Sequence, residues 1–139
     1  SLPQALAEVW RVVRPGGHLA LATLSDGSLM ELRQAWRQVD ALDHVNPFIP
    51  EQTLIELCQA QGFEILRWQR QQHVLHYPTL HELLTSLKGI GANQVTGHRS
   101  NGLGGRNRWM ALQQAYEYKR DDTGLLPISY EVCYGVLTR

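Results

Sequence analysis

A helix joined to an apolar strand through a Pro-Gly-Gly turn constrains this chain more than any other feature. The stretch runs from Arg11 to Leu24 and reads R-V-V-R-P-G-G-H-L-A-L-A-T-L. Proline ends a helix, and the two glycines allow the positive φ angles of a tight reversal. The strand that follows, 18–24, is apolar on both faces, which is typical of a sheet covered by helices. The stretch therefore predicts an α/β fold.

The remaining hydrophobic pattern predicts the order helix, strand, helix, helix, strand, helix, helix, strand. The helices are expected at 3–13, 28–40, 50–62, 79–89 and 107–118, and the strands at 18–24, 63–76 and 128–138. Capping boxes at Ser28 and Thr79 mark two helix starts, and Gly62 marks a helix end. A Gly-rich loop at 90–106 precedes Asn107, which is expected to cap the last helix. One face of the final strand should carry Ile128, Tyr130, Val132, Tyr134 and Val136.

Composition excludes several classes of function. The chain has 139 residues, enough for one domain, with 13 basic and 13 acidic residues, so no net field favours nucleic acid or an anionic membrane. Its two cysteines, Cys58 and Cys133, are expected to be free thiols in a reducing compartment. No apolar run approaches the ~20 residues of a membrane span, and no secretory signal opens the chain. We expect a cytoplasmic protein without a metal site.

The opening stretch resembles the class I methyltransferases that depend on S-adenosylmethionine. In that family a helix of pattern L-x-E-x-x-R-V-x-x-P-G-G leads into the fifth strand. The pattern is carried here by Leu6, Glu8, Arg11, Val12, Pro15, Gly16 and Gly17. The resemblance implies a Rossmann-like sheet in which 18–24, 63–76 and 128–138 are strands five, six and seven, the last one antiparallel. Helical insertions at about 25–49 and 77–127 would build the substrate side of a partial methyltransferase domain covering 1–139.

Rarer segments narrow the resemblance to the malonyl-acyl-carrier-protein O-methyltransferases of biotin synthesis. These segments are H-V-N-P-F-I-P at 44–50, L-K-G-I-G-A-N at 87–93, G-L-G-G-R at 102–106 and P-I-S-Y-E-V-C-Y-G-V-L at 127–137. The resemblance covers the whole chain but only about the C-terminal half of such an enzyme. It implies methyl transfer from S-adenosylmethionine to the free carboxylate of a malonyl thioester, presented by an acyl-carrier protein or by coenzyme A.

The family's glycine-rich cofactor motif and its ribose-binding acidic residue have no counterpart in this sequence. Neither Gly89 to Gly91 nor Gly102 to Gly105 completes G-x-G-x-x-G after a strand. We therefore expect the main cofactor-binding residues to be missing and this chain alone to be inactive.

Arginine is the side chain best suited to orient a carboxylate, because it offers two parallel hydrogen bonds. The predicted substrate-binding residues are Arg99, Arg106, Arg108, Lys88, Thr23, Ser28 and His44. Thr23 and Ser28 follow strand five, where ligands bind in open α/β sheets. Structural alternatives stay open: the arginines can simply solvate a loop, Lys88 can stabilise a helix C-terminus, and Ser28 and His44 can serve a cap and a turn. No catalytic residue is predicted.

Two other hypotheses for function remain. The parent protein could be another small-molecule methyltransferase, or the chain could be an inactive remnant that only binds a partner. Self-association is also expected, because strand 18–24 would lie at the edge of the sheet without the usual protecting proline, lysine or inward charge.

Overall fold

A computed structural model describes residues 1–40, 45, 47–89 and 103–139. These residues form five helices and three strands in the predicted order. The elements are α1 (Leu2–Val12), β1 (His18–Leu24), α2 (Met30–Val39), α3 (Glu51–Gln61), β2 (Glu64–Tyr77), α4 (Leu80–Gly89), α5 (Leu103–Glu117) and β3 (Leu126–Thr138). The fold is α/β, as predicted.

The three strands form one antiparallel sheet in the order β1-β3-β2. The pairing of β1 with β3 begins at His18↔Thr138 and ends at Leu24↔Val132. The antiparallel orientation of the last strand is confirmed. The Pro-Gly-Gly turn extends the ladder, since Gly16 donates to the Arg139 carbonyl (3.0 Å) and Arg139 donates to the Gly17 carbonyl (3.1 Å). Among the described strands, β1 lies at one edge of the sheet, as predicted.

The described residues divide into two compact units. The first comprises Ser1–Ser28, Phe48–His73 and Tyr130–Arg139, and the second comprises Leu29–Pro47 and Val74–Ser129. In the first unit, α1 and α3 pack together on one face of the sheet. Their shared core is built on Leu6, Cys58, Phe63 and Leu137, with Leu19 and Leu21 of β1 packed against it. Ala20 and Ala22, on the opposite face of β1, are exposed.

The second unit is a helical cluster at the start of β3. Its α2 packs against α5. The buried side chains include Leu32, Leu83, Leu87, Leu112, Tyr116, Leu126 and Ile128. Tyr116 is fully buried and donates its hydroxyl to the Pro127 carbonyl (2.6 Å), which gives the one polar atom of that ring a partner. Within the described residues, no helix combines the length and hydrophobicity needed to cross a bilayer.

Local chemistry explains several predicted boundaries. Thr79 caps α4, since its hydroxyl accepts the Glu82 N–H (3.1 Å). Gly62 ends α3 in the left-handed conformation with φ +118°. Both predictions are confirmed.

The predicted capping box of Ser28 and Glu31 is wrong. Helix α2 starts at Met30 after Leu29, which has a left-handed φ of +60°, and no side chain caps this end. The Ser28 hydroxyl instead accepts the Glu131 N–H (2.9 Å), and the Glu31 carboxylate accepts the Ser129 N–H (2.9 Å). Both side chains bind the backbone of β3, a long-range contact that a local motif cannot indicate.

The last helix also departs from its prediction. α5 begins at residue 103, four residues before the predicted start at Asn107, so 103–106 is helical rather than loop. Glycine disfavours a helix interior, but at the first turn the N–H groups have no intrahelical partner anyway.

On β3, burial passes from one set of alternate residues to the other. Ile128 and Tyr130 of the predicted face are buried, but further along Cys133, Gly135 and Leu137 are buried while Val132, Tyr134 and Val136 are not.

Candidate functional site

A polar cluster occupies the carboxyl end of β1, the side of an α/β sheet where ligands bind. Ser25, directly after the strand, is fully buried, and its N–H donates to the Glu131 carbonyl (2.8 Å). Its hydroxyl lies 2.9 Å from Asp26 Oδ1 and 3.1 Å from the Ile49 carbonyl oxygen. The first residues of the loop after β1 are therefore fixed by the chain itself.

Arg70 of β2 is the centre of this cluster. Its Nη1 lies 3.0 Å from Asp26 Oδ1, its Nη2 donates to the Asp26 carbonyl (2.6 Å), and its Nε lies 3.3 Å from Glu131 Oε2. Gln72 donates to the other carboxylate oxygen of Glu131 (3.0 Å). The guanidinium thus joins a loop after β1 to the middle strand of the sheet.

Asp26 is held by Arg70 and by the residue before it in the loop after β1. Its carboxylate accepts hydrogen bonds from Arg70 and from the Ser25 hydroxyl. Arg70 first, and Ser25 second, hold the pKa of Asp26 below its ordinary value. Asp26 therefore stays ionised at neutral pH.

Glu51 and Cys133 complete the cluster. One Glu51 oxygen, Oε2, accepts the Trp68 indole N–H (2.9 Å) and lies 3.8 Å from Cys133 Sγ. Burial, the main cause, raises the pKa of the Cys133 thiol. Burial likewise raises the pKa of Cys58. Both cysteines are unbridged, as predicted, and neither has the lowered pKa of a nucleophile.

Two of the predicted site residues lie in the first unit. Thr23 is partly buried on β1, opposite Cys133 of β3. Ser28 is buried, and its hydroxyl both accepts the Glu131 N–H and donates to the Glu131 carbonyl oxygen (3.2 Å). The Ser28 hydroxyl therefore uses its proton and an acceptor lone pair on backbone groups of Glu131.

Three others lie in the second unit. Lys88 is exposed in the last turn of α4, and Arg106 is exposed in the first turns of α5. Arg108 is half-buried and pairs with Asp40. Positions two apart on a helix do not share a face, so Arg106 and Arg108 cannot form one two-armed grip on a carboxylate. His44 and Arg99 lie outside the described residues.

The second unit also has a groove between α2 and α5. It is lined by Gln38, Ala111, Gln114, Ala115, Glu117 and Tyr118. The charged residue in this lining is an acid, Glu117, so the groove does not suit a carboxylate. Across the described part of the chain, no three His, Cys, Asp or Glu residues come close enough together to hold a metal ion.

Sequence reasoning missed Arg70, Asp26 and Glu131. The three residues are far apart in sequence and meet only because β2 and β1 flank β3. One signal was present: Asp26-Gly27, one residue beyond an apolar strand, is a turn pair at the ligand edge.

The sheet order and its antiparallel β3 define the C-terminal part of a class I methyltransferase fold. No family model matches the chain. Among solved structures, it is similar to a candidate methyltransferase from Bacillus halodurans, with a TM-score of 0.54 and 10% identity over 98% of this chain and 62% of the other. A protein of unknown function from Deinococcus radiodurans R1 gives a TM-score of 0.50 at 10% identity, over 98% of this chain and 45% of the other.

The sequence relatives are more specific. The malonyl-[acyl-carrier protein] O-methyltransferase of Serratia marcescens is 45% identical over 139 residues, which is all of this chain and 52% of the relative. The protein of the same name from Yersinia pestis is 43% identical over 100% of this chain and 50% of the relative. The biotin biosynthesis bifunctional protein BioHC of Cellvibrio japonicus is 39% identical over 99% of this chain and 27% of the relative. The chain is homologous over its whole length to these enzymes, and it spans about half the length of the first two.

Proposed function

We propose that this chain is the C-terminal, substrate-side part of a malonyl-acyl-carrier-protein O-methyltransferase of biotin synthesis. The observation that carries the proposal is the 45% identity to the Serratia marcescens enzyme over all 139 residues. The reaction transfers a methyl group to the free malonyl carboxylate, so that esterification removes the charge. An acyl-carrier protein is the proposed partner, and coenzyme A is the alternative carrier of the thioester.

The chemistry asks for positioning more than for acid or base catalysis. A carboxylate is already a nucleophile, and the two reacting atoms have to be held about 3–3.5 Å apart and in line. The protein's task is to orient the carboxylate and to exclude water. Exposed Arg106 supports this role, because no ion pair engages it among the described residues while Arg108 is bound to Asp40.

The proposed methyl donor is S-adenosylmethionine, which supplies the electrophilic methyl group when bound. The described residues at the end of β1 do not fit it: the polar groups of Ser25, Asp26 and Ser28 are engaged by the chain's own backbone and by Arg70. We therefore derive no step through the donor from these residues, and we place its main binding groups in the half of the relatives that this chain does not span.

The helical insertions at about 25–49 and 77–127 are proposed to build the substrate side of one partial domain. The grouping of 29–47 with 74–129 into a compact unit of its own supports this proposal.

A methyl-transfer assay tests the function. The protein, extended over the full length of its relatives, is mixed with radiolabelled S-adenosylmethionine and either malonyl-acyl-carrier protein or malonyl-coenzyme A. Acetyl-acyl-carrier protein, which lacks the free carboxylate, is the control. Label in the malonyl ester alone supports the proposal, and the faster carrier identifies the substrate. Transfer to neither malonyl thioester would overturn it.

Calorimetry distinguishes the proposed methyltransferase from the alternative, an inactive remnant that only binds a partner. S-adenosylhomocysteine is titrated into the 139-residue chain and into the extended protein. Binding to the extended protein alone is the expected result, and tight binding to the 139-residue chain would contradict the proposed location of the donor site.

A further inference from the structure

We infer that Arg70 is a positioning residue for the substrate side of the proposed site, because it holds the loop Ser25–Ser28 in one geometry through Asp26 and Glu131. This inference rests on the proposed function, which places the substrate beside the insertion that this loop opens. In this inference Arg70 acts through the backbone and side chain of the loop that it binds.

Arg70 makes several independent contacts with one short segment of the chain. Arg70 binds Asp26 twice, once at the carboxylate (3.0 Å) and once at the carbonyl oxygen (2.6 Å). A third nitrogen binds Glu131, whose backbone N–H and carbonyl both bind Ser28. Each end of the loop is therefore tied to the same guanidinium, directly or through one residue.

The loop fits closely around the Arg70 guanidinium. Gly27 has a left-handed φ of +88°, and a Cβ there would lie 3.2 Å from Glu131 Cγ and 3.6 Å from Arg70 Nη2. Glycine thus lets the loop lie closely over the ion pairs. A lysine cannot reproduce this arrangement, because it lacks the planar fork that binds a side chain and a carbonyl together.

Arg70 is also the charged partner of the Asp26 carboxylate. Without Arg70, that carboxylate loses the cation that fixes its direction and keeps the Ser25 hydroxyl as a donor. The Arg70 side chain is 31% exposed and that of Asp26 is 53% exposed, so water replaces the lost contact and the fold survives. The expected loss is therefore of geometry in the loop, more than of stability.

The test compares Arg70→Gln, Arg70→Lys and the control Arg67→Gln, which changes an exposed arginine on the same strand. All are made in the protein extended over the full length of its relatives. One measurement is hydrogen exchange of the Ser25 and Ser28 amides, which donate to the Glu131 and Ser25 carbonyl oxygens. The other is steady-state kinetics with malonyl-acyl-carrier protein.

For Arg70→Gln we expect several-fold faster exchange of the Ser25 and Ser28 amides and a several-fold higher KM for the malonyl thioester, with a smaller change in kcat. Arg70→Lys keeps the positive charge, so it provides a second variant if Arg70→Gln does not fold. It should show smaller changes in exchange and KM, and Arg67→Gln should change neither quantity. Unchanged exchange in both Arg70 variants would overturn the inference, and faster exchange with an unchanged KM would reduce Arg70 to a structural role. A lack of methyl transfer by the unsubstituted protein would instead overturn the proposed function, while exchange still reports whether Arg70 holds the loop.

Discussion

At the scale of single residues, Gly135 shows how closely the first unit is packed. A Cβ at this position would lie 2.9 Å from two ring atoms of Trp68. The ring cannot move freely, because its N–H is bound to Glu51. Trp68 thus fills the space that the absent side chain leaves on the neighbouring strand.

We predict that Gly135→Ala lowers the free energy of unfolding by about 1–3 kcal/mol, the usual cost of overpacking a filled site. The matched control is Gly89→Ala, since a Cβ at Gly89 meets nothing within 4 Å. Urea unfolding monitored by tryptophan fluorescence measures both. Equal midpoints for the two variants would show that Trp68 is not held in place.

Arg106 is the residue on which the proposed substrate grip is best tested. We predict that Arg106→Ala, in the protein extended over the full length of its relatives, lowers kcat/KM for the malonyl thioester. A charge-assisted hydrogen bond is worth about 1.5–3 kcal/mol, so the expected loss is about tenfold or more.

Arg37→Ala, which removes another exposed arginine of the second unit, is the control for a general loss of positive charge. An unchanged kcat/KM for Arg106→Ala would leave Arg106 as a solvated surface residue and remove it from the site.

At the scale of elements, the start of α2 is attached to β3 by side chains. Glu31 is only 8% exposed, and its carboxylate accepts both the N–H and the hydroxyl of Ser129. The Leu29 N–H donates to the Ser129 carbonyl (2.7 Å). The pairing of β1 with β3 ends at Leu24 and Val132. Beyond that point, the Leu29 N–H and the Glu31 carboxylate bind the β3 backbone at Ser129.

We predict that Glu31→Ala costs about 1–3 kcal/mol of stability, because it strands a buried N–H donor on Ser129. Glu31→Gln should cost less, since the amide oxygen still accepts one bond. Glu56→Ala, an exposed change on α3, is expected to stay within about 0.5 kcal/mol of the parent. Thermal unfolding ranks the stabilities of the three variants. A Glu31→Ala protein as stable as Glu56→Ala would show that the Glu31 carboxylate is not needed as the partner of the Ser129 N–H.

Local signals predicted the elements well, and long-range contacts account for the misses. Pro15, Gly62 and Thr79 act within one turn of chain, so their effects on boundaries were visible in the sequence. Ser28 and Arg70 bind residues far away in the chain, and no local pattern reports that. The buried face of β3 changes between Tyr130 and Cys133, which a single two-residue period cannot describe. The roles of Lys88, Arg106 and Thr23 in binding remain predictions.

At the scale of the whole molecule, the edge position of β1 has a consequence for the 139-residue chain in solution. One side of β1 pairs with β3, and no described strand pairs with the other. Its residues 18–24 include no proline, lysine or acidic side chain, and Ala20 and Ala22 are exposed. Such an edge is a template for another strand.

We predict that this chain self-associates through β1 at micromolar concentration. Sedimentation velocity should show a dimer or larger species, and Ala20→Lys, which places a charge on the exposed face, should shift it toward monomer. A monomer whose 18–24 amides are nevertheless protected from exchange would mean that another segment covers the edge.

The attachment of Ser28 and Glu31 to β3 also bears on how enzymes of this kind can change specificity. Because those two side chains complete the hydrogen bonds of the strand, residues 25–31 behave as part of the scaffold rather than as a replaceable connector. Grafts that alter the substrate side should therefore leave residues 25–31 in place. A splice at the end of β1 would replace Ser28 and Glu31 and leave the β3 groups that they bind without those partners.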